Sequence, residues 1–200
     1  MKKKIAVYCG ANSGFDEKYI AKAKELGQWM VKHDFSLVYG GGKLGLMGAV
    51  ANAVLDAGGE AYGVMPGFLV NQEQAHPGLT KLEVVDTMPI RKAKMLELAD
   101  FCLALPGGPG TVEEISEAFS LYRVGQSNNP VVMFNQDGYY TGIQKQYDLM
   151  VEQGFLSKSD RNSLLFTDSF VELEDFINEH LAHPRVFDFK NVMIDSQKNK

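Results

Sequence analysis

The residues best suited to chemistry lie in one stretch, residues 106–114, which read PGGPGTVEE. An apolar run from Phe101 to Leu105 precedes it and predicts a buried strand, and a helical pattern of apolar residues starts at Val112. Strand, glycine turn and helix start, in this order, place unpaired backbone N–H groups and the positive end of a helix dipole at the carboxyl edge of a sheet. Because glycine lets a ligand approach the main chain closely, we expect a bound anion here, and a phosphate before other anions.

A structural explanation of the same stretch stays open. Thr111 and Glu114 have the T-x-x-E spacing of a capping box, in which side chains satisfy the first N–H groups of a helix. On that interpretation Glu114 only stabilises the first helical turn. On the other interpretation its carboxylate takes part in catalysis, and the two predict different effects of its replacement.

The composition indicates one ordinary globular domain. The chain has 200 residues, of which 45% are hydrophobic and 22% charged. A net charge of −5 argues against a nucleic-acid partner. The first apolar run, Ile5 to Cys9, is too short for a signal peptide or a membrane span, so we expect a cytoplasmic protein with no membrane partner.

The sequence has no pattern of metal ligands. Cys9 and Cys102 are the two cysteines, both lie in apolar runs, and no C-x-x-C occurs. The four histidines have no ligand spacing, and no lysine is marked out as a carrier of pyridoxal phosphate. We therefore expect neither a metal nor a cofactor.

Apolar runs alternate with helical patterns along the chain, which is typical of a parallel sheet covered by helices on both faces. We predict strands at residues 5–9, 35–39, 61–65, 82–85, 101–105, 130–134 and 164–166. The resulting fold class is α/β, a doubly wound parallel sheet of Rossmann-like type. It forms a single nucleotide-binding catalytic domain over residues 1–185, followed by a C-terminal tail, residues 186–200. The loops at Gly40, Met88 and Pro106 then share the carboxyl edge of the sheet, where such folds bind ligands.

A second glycine cluster, residues 40–45, formally matches the dinucleotide fingerprint G-x-G-x-x-G. It follows the second predicted strand, whereas the fingerprint belongs after the first. The next strand ends in Met65-Pro66-Gly67 without the acid that would hold a ribose, and no phosphate-binding Gly-Lys-Ser/Thr occurs. The pattern therefore favours neither NAD binding nor ATP hydrolysis.

Three blocks together, residues 40–48, 88–95 and 106–114, resemble the LOG ("Lonely Guy") family of cytokinin riboside 5′-monophosphate phosphoribohydrolases, whose members are often mislabelled as lysine decarboxylases. The family signature P-G-G-x-G-T-x-x-E is complete from Pro106 to Glu114. The likeness covers roughly residues 5–181. One departure is Pro89, where the family often has a histidine two residues before its Arg-Lys pair.

The resemblance implies hydrolysis of the N-glycosidic bond of a nucleoside 5′-monophosphate, with adenine-type, N6-modified bases preferred. It assigns the catalytic roles to Arg91 and Glu114. Loss of a purine builds positive charge on the ribose, which a carboxylate stabilises while it orients water or a ribose hydroxyl. The guanidinium either grips phosphate or assists the leaving base, and the sequence leaves both roles open.

Further residues are expected to contact the phosphate or the rest of the substrate. Met47 and Met88 are candidates for an apolar wall around the base, although packing is their commoner role, and Lys92 could equally be an ordinary helix-start residue. The full set of expected contacts is Gly41, Gly42, Met47, Met88, Lys92, Gly107, Gly108, Gly110, Thr111 and Glu113.

Two expectations concern partners and rival functions. Family members are typically dimers, and the apolar surface of residues 115–122 exceeds what one sheet face could cover, so we expect a homodimer. The alternative function is a non-catalytic carrier of nucleotides or of molybdenum cofactor, which could use the same glycine loops. A nucleoside monophosphate is the expected small-molecule ligand.

Overall fold

The sheet contains seven parallel strands in a computed structural model that describes residues 2–70 and 74–183. The strands are β1 (Lys3–Tyr8), β2 (Phe35–Tyr39), β3 (Ala61–Pro66), β4 (Lys81–Val85), β5 (Phe101–Ala104), β6 (Val131–Phe134) and β7 (Leu164–Thr167). Their order is β4-β3-β2-β1-β5-β6-β7. This is the predicted Rossmann-like sheet, and each predicted strand is present with its ends moved by at most two residues.

Helices follow the strands as the alternation predicts. They are α1 (Glu17–Lys32), α2 (Gly45–Asp56), α3 (Met88–Leu98), α4 (Pro109–Arg123), α5 (Thr141–Glu152), α6 (Lys158–Asn162) and α7 (Phe170–Ala182). Side chains at the N-caps of four of them, Asp16, Thr87, Ser157 and Ser169, accept a hydrogen bond from a backbone N–H of the first turn. The short helix α6 was not predicted, because its polar sequence KSDRN carries no apolar period.

The core lies in two layers, one on each face of the sheet. Leu26 of α1, Val50 of α2 and Ile177 of α7 pack on one face, and Met95 of α3 and Phe119 of α4 pack on the other. The continuous apolar runs of the central strands are explained by this arrangement, since both faces of each run are covered.

The direction of winding reverses between β1 and β5. β1 pairs with β2 on one side and with β5 on the other, and Tyr8 lies opposite Ala104 in the second pairing. The loops that follow these two strands therefore leave the sheet side by side, and the N–H of Gly10 donates to the carbonyl oxygen of Pro106 at 3.1 Å. A crevice between such loops is where doubly wound sheets bind ligands.

Two further expectations from the sequence concern the C-terminal tail and membrane-spanning helices. The expected tail, residues 186–200, lies outside the described residues. Within the described part of the chain, no helix combines the length and the apolar character needed to cross a membrane.

Candidate active site

A cavity of about 460 Å³ opens at the carboxyl edge of the sheet, at the β1/β5 switch point. Its volume is in the range usual for small-molecule sites. The wall includes eight of the residues predicted from the sequence: Met47, Met88, Arg91, Gly107, Gly108, Gly110, Thr111 and Glu114.

Four predicted contacts lie outside this wall. The ammonium group of Lys92 is paired with Glu113 at 2.5 Å and with Glu117 at 2.9 Å, in an ion cluster that joins α3 to α4. Gly41 and Gly42 hold residues 75–76, because the carbonyl of Gly41 accepts from the N–H of His76 at 2.9 Å and Gly42 forms a β-bridge to Ala75. As substrate contacts, these four residues stay predictions.

The start of α4 differs from the sequence expectation. The helix begins at Pro109, three residues before the apolar pattern, and its N-cap is Gly108, which has no side chain to cap with. Proline suits the first helical position because its fixed φ is helical and its missing N–H is not needed there. Thr111 therefore lies inside the helix, and the predicted capping box with Glu114 is wrong.

The glycines between β5 and the first turn of α4 differ in their surroundings. A Cβ on Gly108 or on Gly110 would meet nothing within 4 Å, so both residues face open space beside the first N–H groups of the helix. A Cβ on Gly107 would overlap the side chain of Thr111 and approach the backbone N of Gly10 to 2.8 Å. Gly107 thus permits close packing of two loops, while Gly108 and Gly110 leave room for a ligand.

Arg91 and Glu114 meet across the cavity floor from α3 and α4. One guanidinium nitrogen, Nη1, lies 3.8 Å from Oε1 of Glu114, and the two side chains are only 8% and 10% exposed. Nη1 also lies 3.6 Å from the sulfur of Met88, and the buried Nε of Arg91 has no hydrogen-bond partner among the described residues. A buried ion pair is weak evidence for stability, and the unpartnered Nε leaves Arg91 with a hydrogen bond to donate.

Gly40 is a functional residue that the sequence reasoning missed. A Cβ at this position would overlap Nη2 of Arg91 and lie 3.1 Å from its Cζ. The guanidinium therefore rests on the bare main chain at the end of β2. The signal was present as the first glycine of the 40–42 triplet, but it was assigned to a nucleotide loop and not to the packing of another side chain.

The β1–α1 loop supplies most of the remaining wall. Its residues Gly10 to Gly14 all line the cavity, with Tyr19 and Tyr139 beside them and Leu69 further along. No role was predicted for this loop from the sequence. Its position directly after the first strand of a doubly wound sheet was the available signal, since that strand commonly borders the switch point.

Cys9 lies in the same wall and is a buried thiol. Burial, and then the charge of Glu114, raise the pKa of its thiol far above the usual value, against an opposing effect of Arg91. Burial also raises the pKa of Cys102 to about 12. Both residues are therefore neutral thiols, and neither forms a disulfide. Among the residues that the structure describes, no three His, Cys, Asp or Glu side chains are grouped to hold a metal ion.

Fold and site together define a Rossmann-like α/β protein in which a glycine-rich helix start lies beside a buried Arg–Glu pair. The sequence profile of the family described as "possible lysine decarboxylase" matches residues 47–177. The chain belongs to this family, the LOG family that the three sequence blocks resemble.

Named relatives agree with this assignment, and solved structures share the fold. The cytokinin riboside 5′-monophosphate phosphoribohydrolase of Rhodococcoides fascians is 41% identical over 82% of this chain and 83% of its own length. The enzyme of the same name, LOG, from Oryza sativa subsp. japonica is 36% identical over 89% and 75%. The molybdenum cofactor carrier protein of Chlamydomonas reinhardtii superposes with a TM-score of 0.67 at 21% identity, covering 91% of this chain and 99% of that protein. The latter likeness shows the shared fold.

Proposed function

We propose that the protein hydrolyses the N-glycosidic bond of purine nucleoside 5′-monophosphates, releasing the free base and ribose 5-phosphate. The observation that carries the proposal is the buried Arg91–Glu114 pair in the wall of the cavity, next to the start of α4. The names of the relatives support the same reaction and extend it to N6-modified adenines of the cytokinin type.

The start of α4 suits the 5′-phosphate. Gly108, Gly110 and Thr111 contribute backbone N–H groups at the positive end of a 15-residue helix, and the first two leave open space for an anion. The phosphate is the anchor of the substrate in this proposal, which predicts that nucleosides without it bind poorly.

Glu114 lies one turn further into α4, where it lines the cavity and is buried, unlike Gly108 and Gly110. As the C1′–N bond breaks, positive charge develops on C1′ and the ring oxygen, and a fixed carboxylate in a site with little water stabilises that charge. The same carboxylate can orient the water that adds to C1′, with the base leaving as it gains a proton. Arg91 either holds the phosphate or assists the departing base, and both roles fit its position.

Part of the wall is apolar and suits a base. Leu46 and Met47 from α2, Leu69 and Met88 contribute to it, and the sulfur of Met88 lies beside Arg91. Thioether and leucine side chains pack well against a flat heterocycle and its alkyl substituents. We propose this surface as the base site.

The proposal is tested by incubating the purified protein with AMP and with an N6-prenylated AMP and measuring release of the free base. Glu114→Gln keeps the size of the side chain and removes its charge. We expect turnover to fall roughly a hundred- to thousandfold, the loss typical for an electrostatic contact worth about 3–4 kcal/mol. Glu117→Gln, on the same helix but paired with Lys92 outside the cavity, is the matched control.

The outcomes separate an enzyme from a carrier. Release of base by the wild type and by Glu117→Gln, but not by Glu114→Gln with an unchanged melting temperature, supports catalysis. Tight AMP binding without base release from the wild type contradicts the proposal and leaves the carrier function. Base release by Lys92→Met and by Glu113→Gln, measured in the same assay, tests whether these two residues outside the cavity wall contact the substrate.

A homodimer and a cytoplasmic location belong to the same proposal. The original reason for expecting a dimer needs correction, because Ile115, Phe119 and Tyr122 of α4 are buried within their own chain. Exposed apolar side chains occur elsewhere, among them Phe68 and Val84. Light scattering at micromolar concentration should give the mass of two chains, and a single-chain mass contradicts a dimer. Val84→Lys should reduce the mass if Val84 lies in the interface.

A further inference from the structure

Two adjacent tyrosines fasten the loop between β5 and α4. Tyr139 lies after a turn that follows β6, and its hydroxyl donates a hydrogen bond to the carbonyl oxygen of Gly107 at 2.6 Å. The hydroxyl of Tyr140 donates to the carbonyl oxygen of Leu105 at 2.7 Å. Tyr140 is buried, whereas Tyr139 is 44% exposed and forms part of the cavity wall.

The two carbonyl groups that accept these hydrogen bonds belong to different kinds of peptide. The carbonyl of Leu105 precedes Pro106, so that peptide has no N–H. The carbonyl of Gly107 precedes Gly108, the N-cap of α4, and the peptide between them is trans. In a planar trans peptide the C=O and N–H point in opposite directions, so a bond that fixes the carbonyl also fixes the direction of the Gly108 N–H.

We propose that Tyr139 is a positioning residue for phosphate binding: its hydroxyl holds the Gly107–Gly108 peptide so that the Gly108 N–H is presented to the phosphate of the substrate. This inference rests on the proposed function. The Gly108 N–H is directed away from the tyrosine hydroxyl, because the carbonyl of the same trans peptide points toward it. Gly108 itself lines the cavity, and a Cβ there would meet nothing within 4 Å. A hydrogen bond to the carbonyl also polarises the N–H of the same peptide and makes it a better donor to an anion.

Tyr139 is itself held in place by its turn. The turn contains Asp137 at φ 50° and Gly138 at φ 78°. The side-chain oxygen of Asn135 accepts a hydrogen bond from the N–H of Tyr140 at 2.6 Å, and this bond closes the turn. On the outer side, the ring of Tyr19 meets that of Tyr139 edge-on, with 6.0 Å between centroids. A residue in this setting can act as a fixed support.

Direct contact between Tyr139 and the phosphate is the competing explanation. A phenol has one proton to donate, and in the free protein that proton is used on Gly107, so its remaining lone pairs would repel an anion. The two explanations differ in the ligand-free state, because only a positioning role alters the Gly107–Gly108 peptide before any ligand is added.

The first experiment uses NMR to measure the chemical shifts of the Gly107–Gly108 peptide. In protein labelled with glycine that carries carbonyl ¹³C and amide ¹⁵N, only Gly-Gly peptides give correlated signals, which here are the amides of Gly41, Gly42, Gly59 and Gly108. Tyr139→Phe keeps the ring and removes the hydroxyl. We expect the ligand-free variant to shift the Gly107 carbonyl carbon and the Gly108 nitrogen upfield and to leave the other three signals in place. An unchanged Gly108 signal overturns the proposal.

The second experiment reads phosphate binding, with Tyr140→Phe as the matched control. For Tyr139→Phe we expect inorganic phosphate to bind about five- to tenfold more weakly and KM for AMP to rise by the same factor with kcat nearly unchanged. For Tyr140→Phe we expect a lower melting temperature and an unchanged KM, because the peptide it supports has no N–H to present. An equal rise in KM for both variants means general loosening of the loop and overturns the proposal.

Failure of the proposed function is distinguishable from failure of this inference. If the wild type releases no base from AMP, the proposed function fails, while the carbonyl and amide signals and the binding of inorganic phosphate still test the role of Tyr139. If the wild type is active and Tyr139→Phe matches it in both experiments, only the positioning role is contradicted.

Discussion

The backbone of Gly40 lies directly beneath the guanidinium of Arg91, so closely that a Cβ at Gly40 would overlap Nη2 and lie 3.0 Å from the sulfur of Met47. Gly40 follows β2, and Arg91 comes from the first turn of α3, a helix that is distant in sequence. The position of the buried arginine in the cavity therefore depends on the absence of one side chain.

Replacement of Gly40 tests this dependence. In Gly40→Ala the new methyl group overlaps Nη2 and displaces the guanidinium by roughly 1 Å or more, and misplacement of a reacting group on this scale costs roughly a hundredfold in rate. We expect kcat/KM for AMP to fall accordingly while circular dichroism shows a retained fold. Gly142→Ala, in α5 where a Cβ would meet nothing within 4 Å, is the control and should keep full activity. Full activity of Gly40→Ala would contradict the importance of the Arg91 position.

Arg91→Lys distinguishes the two roles left open for this residue. Lysine keeps the positive charge and loses the planar fork, so we expect kcat/KM for AMP to fall at least about tenfold. A loss confined to KM assigns Arg91 to phosphate binding, and a loss confined to kcat assigns it to departure of the base. Steady-state kinetics measure the split, and a kcat/KM within about twofold of the wild type would show that the fork is not used.

Gly108→Val should block the anion site without unfolding the protein. Space at this glycine is open and its φ of −82° is accessible to valine, so the expected loss of stability is about 1 kcal/mol for an unfavourable N-cap. We expect calorimetric titration to show AMP binding by the wild type and none by the variant. Wild-type affinity in Gly108→Val, or equal wild-type affinity for AMP and adenosine, would mean that the phosphate does not bind at the start of α4.

Protonation of His76 should loosen the segment that docks on Gly41. Burial, and then the charge of Lys43, lower the pKa of His76 below its ordinary value, so the folded state favours the neutral ring. This stabilisation is fully present above the ordinary pKa of about 6.5 and is lost as the pH falls through the lowered folded value. We expect the melting temperature to drop more steeply below about pH 6 for the wild type than for His76→Gln. Parallel pH curves for the two proteins would contradict this.

Much of the fold follows from local patterns. Runs such as Leu37 to Tyr39 and Val131 to Phe134 are apolar on both faces, a pattern that only a covered parallel sheet satisfies, so strand positions and the doubly wound class could be predicted. Helix starts were less predictable. α4 begins at Pro109 because proline and the N-cap glycine favour that start, whereas the apolar period becomes visible only at Val112.

The sequence by itself determined the chemical groups of the site, because the glycine loop, Arg91 and Glu114 are recognisable by type and spacing along the chain. Only the tertiary structure decided which of them meet. Parallel pairing of β1 with β5 brings the β1–α1 loop to the cavity. The packing of α3 and α4 brings Nη1 of Arg91 to 3.8 Å from Oε1 of Glu114. The neighbouring residues Lys92 and Glu113 pair with each other outside the cavity wall. These contacts join residues far apart in sequence, and no local pattern encodes the direction in which their helices face once packed.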